Sequence, residues 1–232
     1  MGGRTGIEWT DHTWNPWHGC IKISPGCKLC YMYREKERYG QDPSIVVRSK
    51  TTFNAPLKWK DPAMVFTCSW SDFFIEEADA WRNEAWHIIQ QTPHLTYQIL
   101  TKRPGRIIEH LPPDWGDGYR NVWFGVSGET HEWFLKRWRI LRGVRAALRF
   151  VSLEPLLGPV SLAESGTVPD WVIAGGETGL QARFTDLMWL RRIRADCEGA
   201  RIPFFLKQIT LGGRPIPFEK WPEDLRIREF PQ

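Results

Sequence analysis

The sequence predicts an α/β fold, a partial or complete parallel β/α barrel of TIM-like form, from two patterns along the chain. Short apolar segments alternate with amphipathic segments of helical period, as in a parallel sheet covered by helices. Six such units follow the opening residues, and polar side chains come directly after most of the apolar segments. In a β/α barrel the carboxyl ends of the strands carry the active site. We therefore expect a functional mouth where these polar side chains meet.

The individual elements follow from the hydrophobic pattern and from local start and stop signals. An extended segment is predicted at 13–17, and the charged segment 31–39 predicts a helix that stops at Gly40. Strands are predicted, in chain order, at 64–68, 94–100, 121–126, 148–153, 171–174 and 203–206. Helices are predicted at 78–91, 106–110 and 131–142, and from the N-cap pair Thr185-Asp186 onwards.

The length of 232 residues allows one large domain or two small ones, and we expect a single domain over 1–232 with its core at about 7–210. The chain from Gly212 on is rich in proline and charge and predicts a loosely packed extension over about 211–232. No apolar run is long enough to span a membrane, and no signal-peptide core follows Met1. Five cysteines, an odd number with three clustered, argue for a reducing compartment. We expect a soluble cytoplasmic protein without a membrane partner.

A net charge of +4 is mild, but the positive charges are unevenly distributed. Six of them fall within fourteen residues, namely Lys136, Arg137, Arg139, Arg142, Arg145 and Arg149. A solvated helix face is one interpretation of this basic segment, and a surface that faces phosphates is the other. The 14 tryptophans leave a similar choice between a core role and stacking on nucleobases.

Cys20, Cys27 and Cys30 form the most informative motif, with the spacing C-x6-C-x2-C. The turn Pro25-Gly26 in the longer gap allows the chain to fold back, so that all three sulfurs can face one point. Four thiolates usually complete a structural zinc or iron–sulfur site. Three thiolates leave one coordination position for another ligand, and this predicts a reactive centre.

The sequence alone allows three interpretations of the cysteine motif. Soft thiolates select iron–sulfur or zinc over magnesium or calcium, so a [4Fe–4S] cluster is the first interpretation. A zinc ion completed by His18 is the second, and thiols that bind no metal are the third. Cys68 falls in a predicted strand and Cys197 on an apolar helix face, so we expect both to be packing residues.

Several collinear segments over roughly residues 7–210 resemble the phage Gp37/Gp68 family of three-cysteine-motif proteins. They are Ile7-Glu8-Trp9-Thr10, Thr13-Trp14-Asn15-Pro16, Ser24-Pro25-Gly26-Cys27, Ser152-Leu153-Glu154-Pro155-Leu156-Leu157-Gly158, Gly175-Gly176-Glu177 and Pro203-Phe204-Phe205-Leu206-Lys207-Gln208. That family is similar to the radical S-adenosylmethionine (radical SAM) superfamily, which has a partial β/α barrel. The commonest superfamily spacing is C-x3-C-x2-C, whereas the first gap here is six residues.

The resemblance implies a [4Fe–4S] cluster held by the three cysteines, S-adenosylmethionine as cofactor, and an external electron donor. The reduced cluster would cleave the sulfonium to a 5′-deoxyadenosyl radical that abstracts hydrogen from a substrate. Polar residues after the early and middle strands are the candidates for binding S-adenosylmethionine, with Lys102 or Arg103 for its carboxylate. The full set of cofactor candidates is Ser69, Ser71, Asp72, Lys102, Arg103, Ser127 and Glu129. Glu154, Glu177 and Lys207 follow later strands and are the candidate catalytic residues on the substrate side.

The phage association of the family and the basic segment predict a nucleobase or a modified nucleotide as substrate, such as a hypermodified thymine in phage DNA. The host-cell cytoplasm would then be the location. A non-catalytic, zinc-stabilised nucleic-acid-binding module is the alternative from a different class of protein. An iron–sulfur partner subunit that cleaves S-adenosylmethionine only as a side reaction is a third hypothesis.

Overall fold

The apolar segments predicted as strands form strands in the structure, a computed structural model that describes residues 5–179 and 181–232. The strands are β1 His12–Trp14, β2 Trp17–His18, β3 Val47–Arg48, β4 Ala63–Thr67, β5 Leu95–Thr101, β6 Val122–Ser127, β7 Leu148–Leu153, β8 Trp171–Gly175, β9 Phe204–Gln208, β10 Thr210–Leu211 and β11 Arg214–Pro215. The α-helices are α1 Tyr31–Arg38, α2 Asp79–Gln91, α3 His131–Leu141 and α4 Leu187–Ala200. In this described part of the chain, no helix is long and apolar enough to cross a membrane.

Seven strands belong to one sheet, in the order β1-β4-β5-β6-β7-β8-β9. Strand β4 is parallel to both β1 and β5, and β8 is parallel to both β7 and β9. The predicted α/β class with a parallel sheet is therefore confirmed. The order is linear, with β1 and β9 at its ends, so the strands of residues 5–179 and 181–232 do not close the complete barrel.

Most predicted elements form within a residue or two of the predicted bounds, and the exception is the helix predicted at 106–110. Two separate 3-10 turns stand there, Pro104–Arg106 and Ile108–His110. The segment lies between Pro104 and the pair Pro112-Pro113, so it is too short to repay the nucleation of an α-helix. The helix prediction was therefore wrong at this place.

The described chain divides into two compact units. Unit 1 consists of Met1–Ile23, Met32–Gly125 and Val144–Leu148, and it contains β1 to β5 and α2. Its core includes an aromatic cluster in which the ring of Trp86 lies 4.9 Å from Phe73 and 5.5 Å from Trp115. The indole of Trp14 is fully buried and donates a hydrogen bond of 3.0 Å to the carbonyl of Phe53. Such satisfied, buried indoles are structural groups.

Unit 2 consists of Ser24–Tyr31, Val126–Gly143 and Arg149–Gln232, and it contains β8 to β11, α3, α4 and nearly all of β7. The apolar positions of α4, Leu190, Ile193 and Cys197, are buried, as their helical spacing predicts. Asp186 caps α4 and accepts a hydrogen bond of 2.8 Å from the backbone N–H of Met188. The predicted start of this helix is confirmed.

The C-terminal segment packs against β9, contrary to the predicted loose extension. Trp221 is 3% exposed and Leu225 is fully buried. The backbone N–H of Leu206 donates to Ile227, and that of Glu229 donates to Phe204, each at 2.9 Å. An edge strand needs partners for its free N–H and C=O groups, and this segment supplies them. The high proline and charge content of the segment predicted loose packing because it does not show that two apolar side chains are buried.

Replacement of Leu225 by alanine tests this packing. Because the side chain is fully buried, we expect the free energy of unfolding to fall by about 2–5 kcal/mol in urea titrations. Val168 is 47% exposed in the same unit, so Val168→Ala is the control and should change stability by less than about 0.5 kcal/mol. Equal, small effects of both substitutions would mean that the C-terminal segment does not pack as described.

Candidate functional site

The predicted site residues follow the strands of the parallel sheet. In unit 1, Ser69, Ser71 and Asp72 come after β4, and Lys102 and Arg103 come after β5. In unit 2, Ser127 ends β6, Glu129, Glu154 and Glu177 follow β6, β7 and β8, and Lys207 lies in β9. Cys20 belongs to unit 1, whereas Cys27 and Cys30 belong to unit 2.

Asp72 and Arg103 form an ion pair that holds the backbone at Cys20. The guanidinium Nη1 of Arg103 lies 3.1 Å from Oδ2 of Asp72 and 3.9 Å from the sulfur of Cys20. Its Nη2 donates a hydrogen bond of 3.0 Å to the carbonyl of Ile21. Burial opposes the charge of Arg103, but the Asp72 carboxylate and the Cys20 sulfur raise its pKa above the ordinary value. Arg103 is therefore a permanent cation beside the first cysteine.

Asp72 is buried and serves as an acceptor for the strand ends around it. Its Oδ1 accepts from the hydroxyl of Thr101 at 2.6 Å, and its Oδ2 accepts from the backbone N–H of Lys102 at 2.9 Å. Its carbonyl accepts from the indole of Trp17 at 3.1 Å. These bonds compensate for burial of the carboxylate and fix the turn after β5.

The two serines after β4 also bind the segment that leads into the cysteines. The hydroxyl of Ser71 donates to the carbonyl of Gly19 at 2.6 Å, and the side chain of Ser69 exchanges hydrogen bonds with Asn15. The phenol of Tyr33 donates to the carbonyl of Cys20. Residues 15–21 are thus fixed from several sides within unit 1.

Glu129 and Arg137 form the most deeply buried ion pair at the candidate site, in unit 2. The side chain of Glu129 is fully buried and that of Arg137 is 2% exposed, and their Oε2 and Nη1 atoms are 2.8 Å apart. The same Nη1 also donates a hydrogen bond of 2.8 Å to the carbonyl of Ser127. The centre of the Trp133 indole ring lies 4.4 Å from the guanidinium carbon. A buried ion pair of this kind requires such additional partners to offset desolvation.

The local sequence explains how Glu129 reaches its position. Strand β6 ends at Ser127, and Thr130 caps α3 by accepting a hydrogen bond from the backbone N–H of Trp133. The short turn between them leaves Glu129 next to the helix start, two helical turns before Arg137. The backbone of Glu129 is itself held, since its carbonyl accepts from Leu157 at 2.8 Å.

Glu129 binds the cysteine segment directly. Its Oε1 accepts a hydrogen bond of 2.6 Å from the hydroxyl of Ser24, which lies three residues before Cys27. Gly26 lies so close that a Cβ built on it would stand 2.3 Å from Cγ of Glu129. A glycine is therefore required between Ser24 and Cys27, and the Pro25-Gly26 turn noted in the sequence has a steric cause.

A second ion pair in unit 2 holds the same segment. Arg183 binds the carboxylate of Glu177, with its Nε 2.8 Å from Oε2, and the side chain of Glu177 is 5% exposed. The Nη1 of Arg183 donates a hydrogen bond of 3.0 Å to the carbonyl of Pro25. Glu177, a predicted catalytic residue, therefore orients an arginine that contacts the cysteine segment.

Glu154 and Lys207 form a more accessible pair in unit 2. The Nζ of Lys207 is 3.0 Å from Oε1 of Glu154, and their side chains are 27% and 12% exposed. The hydroxyl of Ser152 donates a hydrogen bond of 3.1 Å to the other carboxylate oxygen of Glu154. Among the three predicted catalytic residues, these two present a carboxylate and an ammonium group side by side.

The cysteines of the motif differ from the two cysteines elsewhere in the chain. Cys20, Cys27 and Cys30 are half-buried and in no disulfide, and Cys68 and Cys197 are buried. Burial, with help from Asp72, raises the pKa of Cys68 well above the ordinary value. Burial and the nearby Asp196 and Glu229 carboxylates raise the pKa of Cys197 to about 12. Both buried thiols stay protonated at neutral pH, in agreement with a packing role.

Among residues 5–179 and 181–232, no group of three or more histidine, cysteine, aspartate or glutamate side chains is arranged to hold a metal ion. His18, the alternative zinc ligand, lies in β2, and its Nδ1 atom is buried without a hydrogen-bond partner in that part of the chain. Burial and the nearby Lys36 lower its pKa, which favours the neutral imidazole that metal binding requires.

The tryptophans are largely structural, whereas most cations of the basic segment are exposed. Eight of the 14 tryptophans are buried, including Trp9, Trp14 and Trp17 near the cysteines. Arg137, counted with the basic segment, is buried in its ion pair with Glu129 and cannot face a phosphate. Arg145 pairs with Asp117 at 2.8 Å. Lys136 and Arg139 are exposed on α3.

Ser24, Gly26, Arg137 and Arg183 are the site residues that sequence analysis did not assign to the cysteines. Only Gly26 had a local signal, because it forms a Pro-Gly turn. Glu129 lies before the predicted helix 131–142 and eight residues from Arg137, beyond the spacing at which side chains are neighbours on a helix, so the sequence did not pair them. Arg183 lies in an irregular segment and contacts Pro25, 158 residues away, so no pattern in the sequence indicates it.

Replacement of Gly26 by alanine tests its close packing against Glu129. The carboxylate is held by Ser24 and Arg137 and cannot move away easily, so we expect a loss of about 1–3 kcal/mol in the free energy of unfolding. The loss should shrink when Glu129→Ala is present in both the reference and the test protein, since the space is then open. Urea titrations of the four proteins measure this coupling.

Gly158→Ala is the matched control, because a Cβ there meets nothing within 4 Å. We expect it to change stability by less than about 0.5 kcal/mol. A loss for Gly26→Ala that is unchanged in the Glu129→Ala background would contradict the packing of Gly26 on this carboxylate.

Comparison with known proteins identifies a family. The chain belongs to the DUF5131 family, which is described as a protein of unknown function and matches residues 4–214. No curated protein and no solved structure matches the chain.

Proposed function

We propose that this member of the DUF5131 family is a radical S-adenosylmethionine enzyme whose [4Fe–4S] cluster is held by Cys20, Cys27 and Cys30. The observation that carries the proposal is the way in which the cysteine segment is held. Charged side chains that follow strands of the parallel sheet bind its backbone at Ile21 and Pro25 and its side chain at Ser24. Enzymes with parallel α/β sheets place their reactive groups at such strand ends.

The donor chemistry of the segment fits the cluster. The three cysteines are half-buried and in no disulfide, and thiolates are the ligands that iron–sulfur clusters take. The spacing within eleven residues allows three sulfurs to reach one cluster, although no metal-binding group is preformed in the described residues. Binding therefore requires the three side chains to converge. When bound, the cluster supplies the electron that splits S-adenosylmethionine into methionine and a 5′-deoxyadenosyl radical.

The proposed fold is the partial β/α barrel of the radical SAM superfamily, which the phage Gp37/Gp68 family resembles. An open parallel sheet with helices between its strands supports this finer assignment. In it the protein binds and orients the reactants and excludes water from a reactive radical. Arg103 offers a cation for the carboxylate of S-adenosylmethionine, and an external donor supplies the electron.

The proposed substrate is a nucleobase or a modified nucleotide, such as a hypermodified thymine in phage DNA. Glu154 and Lys207 support this choice, since an adjacent carboxylate and ammonium present an acceptor and a donor to the polar edge of a base. Lys136 and Arg139 are exposed cations that can contact phosphates. The rearrangement, repair or modification would take place on the base.

A zinc-stabilised nucleic-acid-binding module is the second candidate, and His18 is the observation that favours it. Its Nδ1 is buried without a hydrogen-bond partner in the described chain, two residues before Cys20. A Cys3His set would saturate zinc and leave no position for S-adenosylmethionine. The metal content of the purified protein distinguishes the two candidates.

Anaerobic reconstitution tests the cluster. We expect a brown protein with about four irons and four sulfides per chain, because three thiolates and one exchangeable ligand complete a [4Fe–4S] site. Cys27→Ala should lose the colour, and Cys197→Ala, the matched cysteine control on α4, should keep it. A colourless wild-type protein with one zinc per chain would contradict the cluster and support the second candidate.

Reductive cleavage tests the activity itself. With dithionite and S-adenosylmethionine, we expect 5′-deoxyadenosine from the wild type, measured by liquid chromatography, and a higher yield with phage DNA. Glu154→Gln should remove the stimulation by DNA while leaving basal cleavage, since Glu154 is assigned to the substrate side. Stimulation that is unchanged by this substitution would remove Glu154 from the proposed substrate site.

A further inference from the structure

The hydroxyl group of Ser24 lies between two groups that can compete for its proton. Its oxygen is 2.6 Å from Oε1 of Glu129 and 3.6 Å from the sulfur of Cys27. The segment is compact here, since the backbone N–H of Cys27 also donates to the carbonyl of Ser24 at 2.9 Å. One side chain therefore connects a buried carboxylate to a proposed cluster ligand.

The direction of these two hydrogen bonds follows from the donors available. An ionised carboxylate only accepts, and a serine hydroxyl has one proton to donate. The hydroxyl therefore donates to Glu129, and its oxygen can only accept from the thiol of Cys27. A thiolate at position 27 would face oxygen lone pairs and would receive no hydrogen bond from Ser24.

Arg137 makes this arrangement permanent. A fully buried carboxylate stays ionised only beside a compensating charge, and the guanidinium of Arg137 stands 2.8 Å away. Arg137 is fixed in turn by the carbonyl of Ser127 and by the ring of Trp133. Gly26 closes the site from the other side, because a larger residue would collide with the carboxylate.

We propose that Glu129 is a positioning residue that withholds the hydroxyl proton of Ser24 from the sulfur of Cys27. The consequence rests on the proposed function: hydrogen bonds to the sulfurs of an iron–sulfur cluster help to set its reduction potential. With the Ser24 proton held by Glu129, more electron density would stay on the Cys27 sulfur, and a cluster bound there would be a stronger reductant. This role of Glu129 differs from the direct cofactor contact that its place after β6 predicted.

The direction of the hydrogen bond can be tested in protein without a cluster. Cys27 and Cys30 fall on different tryptic peptides because Lys28 lies between them, so their alkylation by iodoacetamide can be followed separately by mass spectrometry. In Glu129→Gln the amide oxygen stays with Arg137, because a guanidinium only donates, and the amide N–H then faces Ser24. The hydroxyl is thereby released and can stabilise a thiolate at Cys27. We expect its alkylation to rise relative to Cys30 by about two- to tenfold, the value of one hydrogen bond.

A double-mutant cycle separates this effect from simple loosening of the segment. Ser24→Ala removes the hydroxyl, so Glu129→Gln should have no effect on the Cys27 to Cys30 ratio in that background. Glu132→Gln on the exposed side of α3 is the matched control and should leave the ratio unchanged. Glu129→Gln leaves the charge of Arg137 buried, so Glu129→Leu with Arg137→Met, which has no acceptor for the Ser24 hydroxyl, provides a neutral pair if the single variant does not fold.

Three results would overturn the inference: an unchanged ratio in Glu129→Gln and in the neutral pair, an equal rise at Cys27 and Cys30, or a rise that persists with Ser24→Ala. In reconstituted protein, Glu129→Gln should raise the reduced-to-oxidised ratio at a fixed potential by a similar factor, again only when Ser24 is present. A Ser24-dependent change in alkylation without any cluster would refute the proposed function alone. A cluster without that change would refute the inference alone.

Discussion

The buried ion pair of Glu129 and Arg137 is the interaction on which the proposed site depends in unit 2. Both side chains are almost completely inaccessible, so their charges can persist only while they remain together. The other carboxylate oxygen then has a fixed position, and the carboxylate determines where Ser24 and Gly26 can lie. Because Cys27 is three residues from Ser24, a pair of charges far away in the sequence positions a cysteine.

Two other carboxylate–arginine pairs also hold the cysteine segment. In each of these the carboxylate orients the arginine, and the remaining N–H groups of the arginine bind the segment. Asp72 orients Arg103 toward Ile21 in unit 1, and Glu177 orients Arg183 toward Pro25 in unit 2. A guanidinium suits this task because its donors point in several fixed directions. An irregular loop has few backbone partners of its own, so these contacts replace the ladder of a strand.

These contacts give several residues a different role from the cofactor-binding or catalytic role that the sequence predicted. Polar residues after parallel strands predicted a mouth with cofactor and catalytic groups, and the strand ends do carry those side chains. Asp72, Arg103, Glu129 and Glu177, however, bind protein groups around the cysteines. Glu154 and Lys207 pair with each other and remain partly accessible. Fewer strand-end residues are thus accessible to a substrate of the proposed enzyme than the sequence predicted.

The parallel sheet was predictable because its buried strands are short runs rich in apolar residues and the helices between them have apolar residues at helical spacing. The cysteine motif was predictable because its spacing is local. The partners of the cysteines were not, since Arg183 reaches Pro25 across 158 residues and the burial of Arg137 depends on where β6 ends. The prediction of a loose C-terminal extension was wrong for a related reason. The burial of Trp221 and Leu225 is set by the edge of β9 and not by local composition.

The most direct measurement is electron paramagnetic resonance of the anaerobically reconstituted and reduced protein, with and without S-adenosylmethionine. If three cysteines hold the cluster and one iron keeps an open position, S-adenosylmethionine binds that iron and changes the g values of the signal. An unchanged cluster signal at saturating S-adenosylmethionine would contradict an open iron, and with it the proposed enzyme.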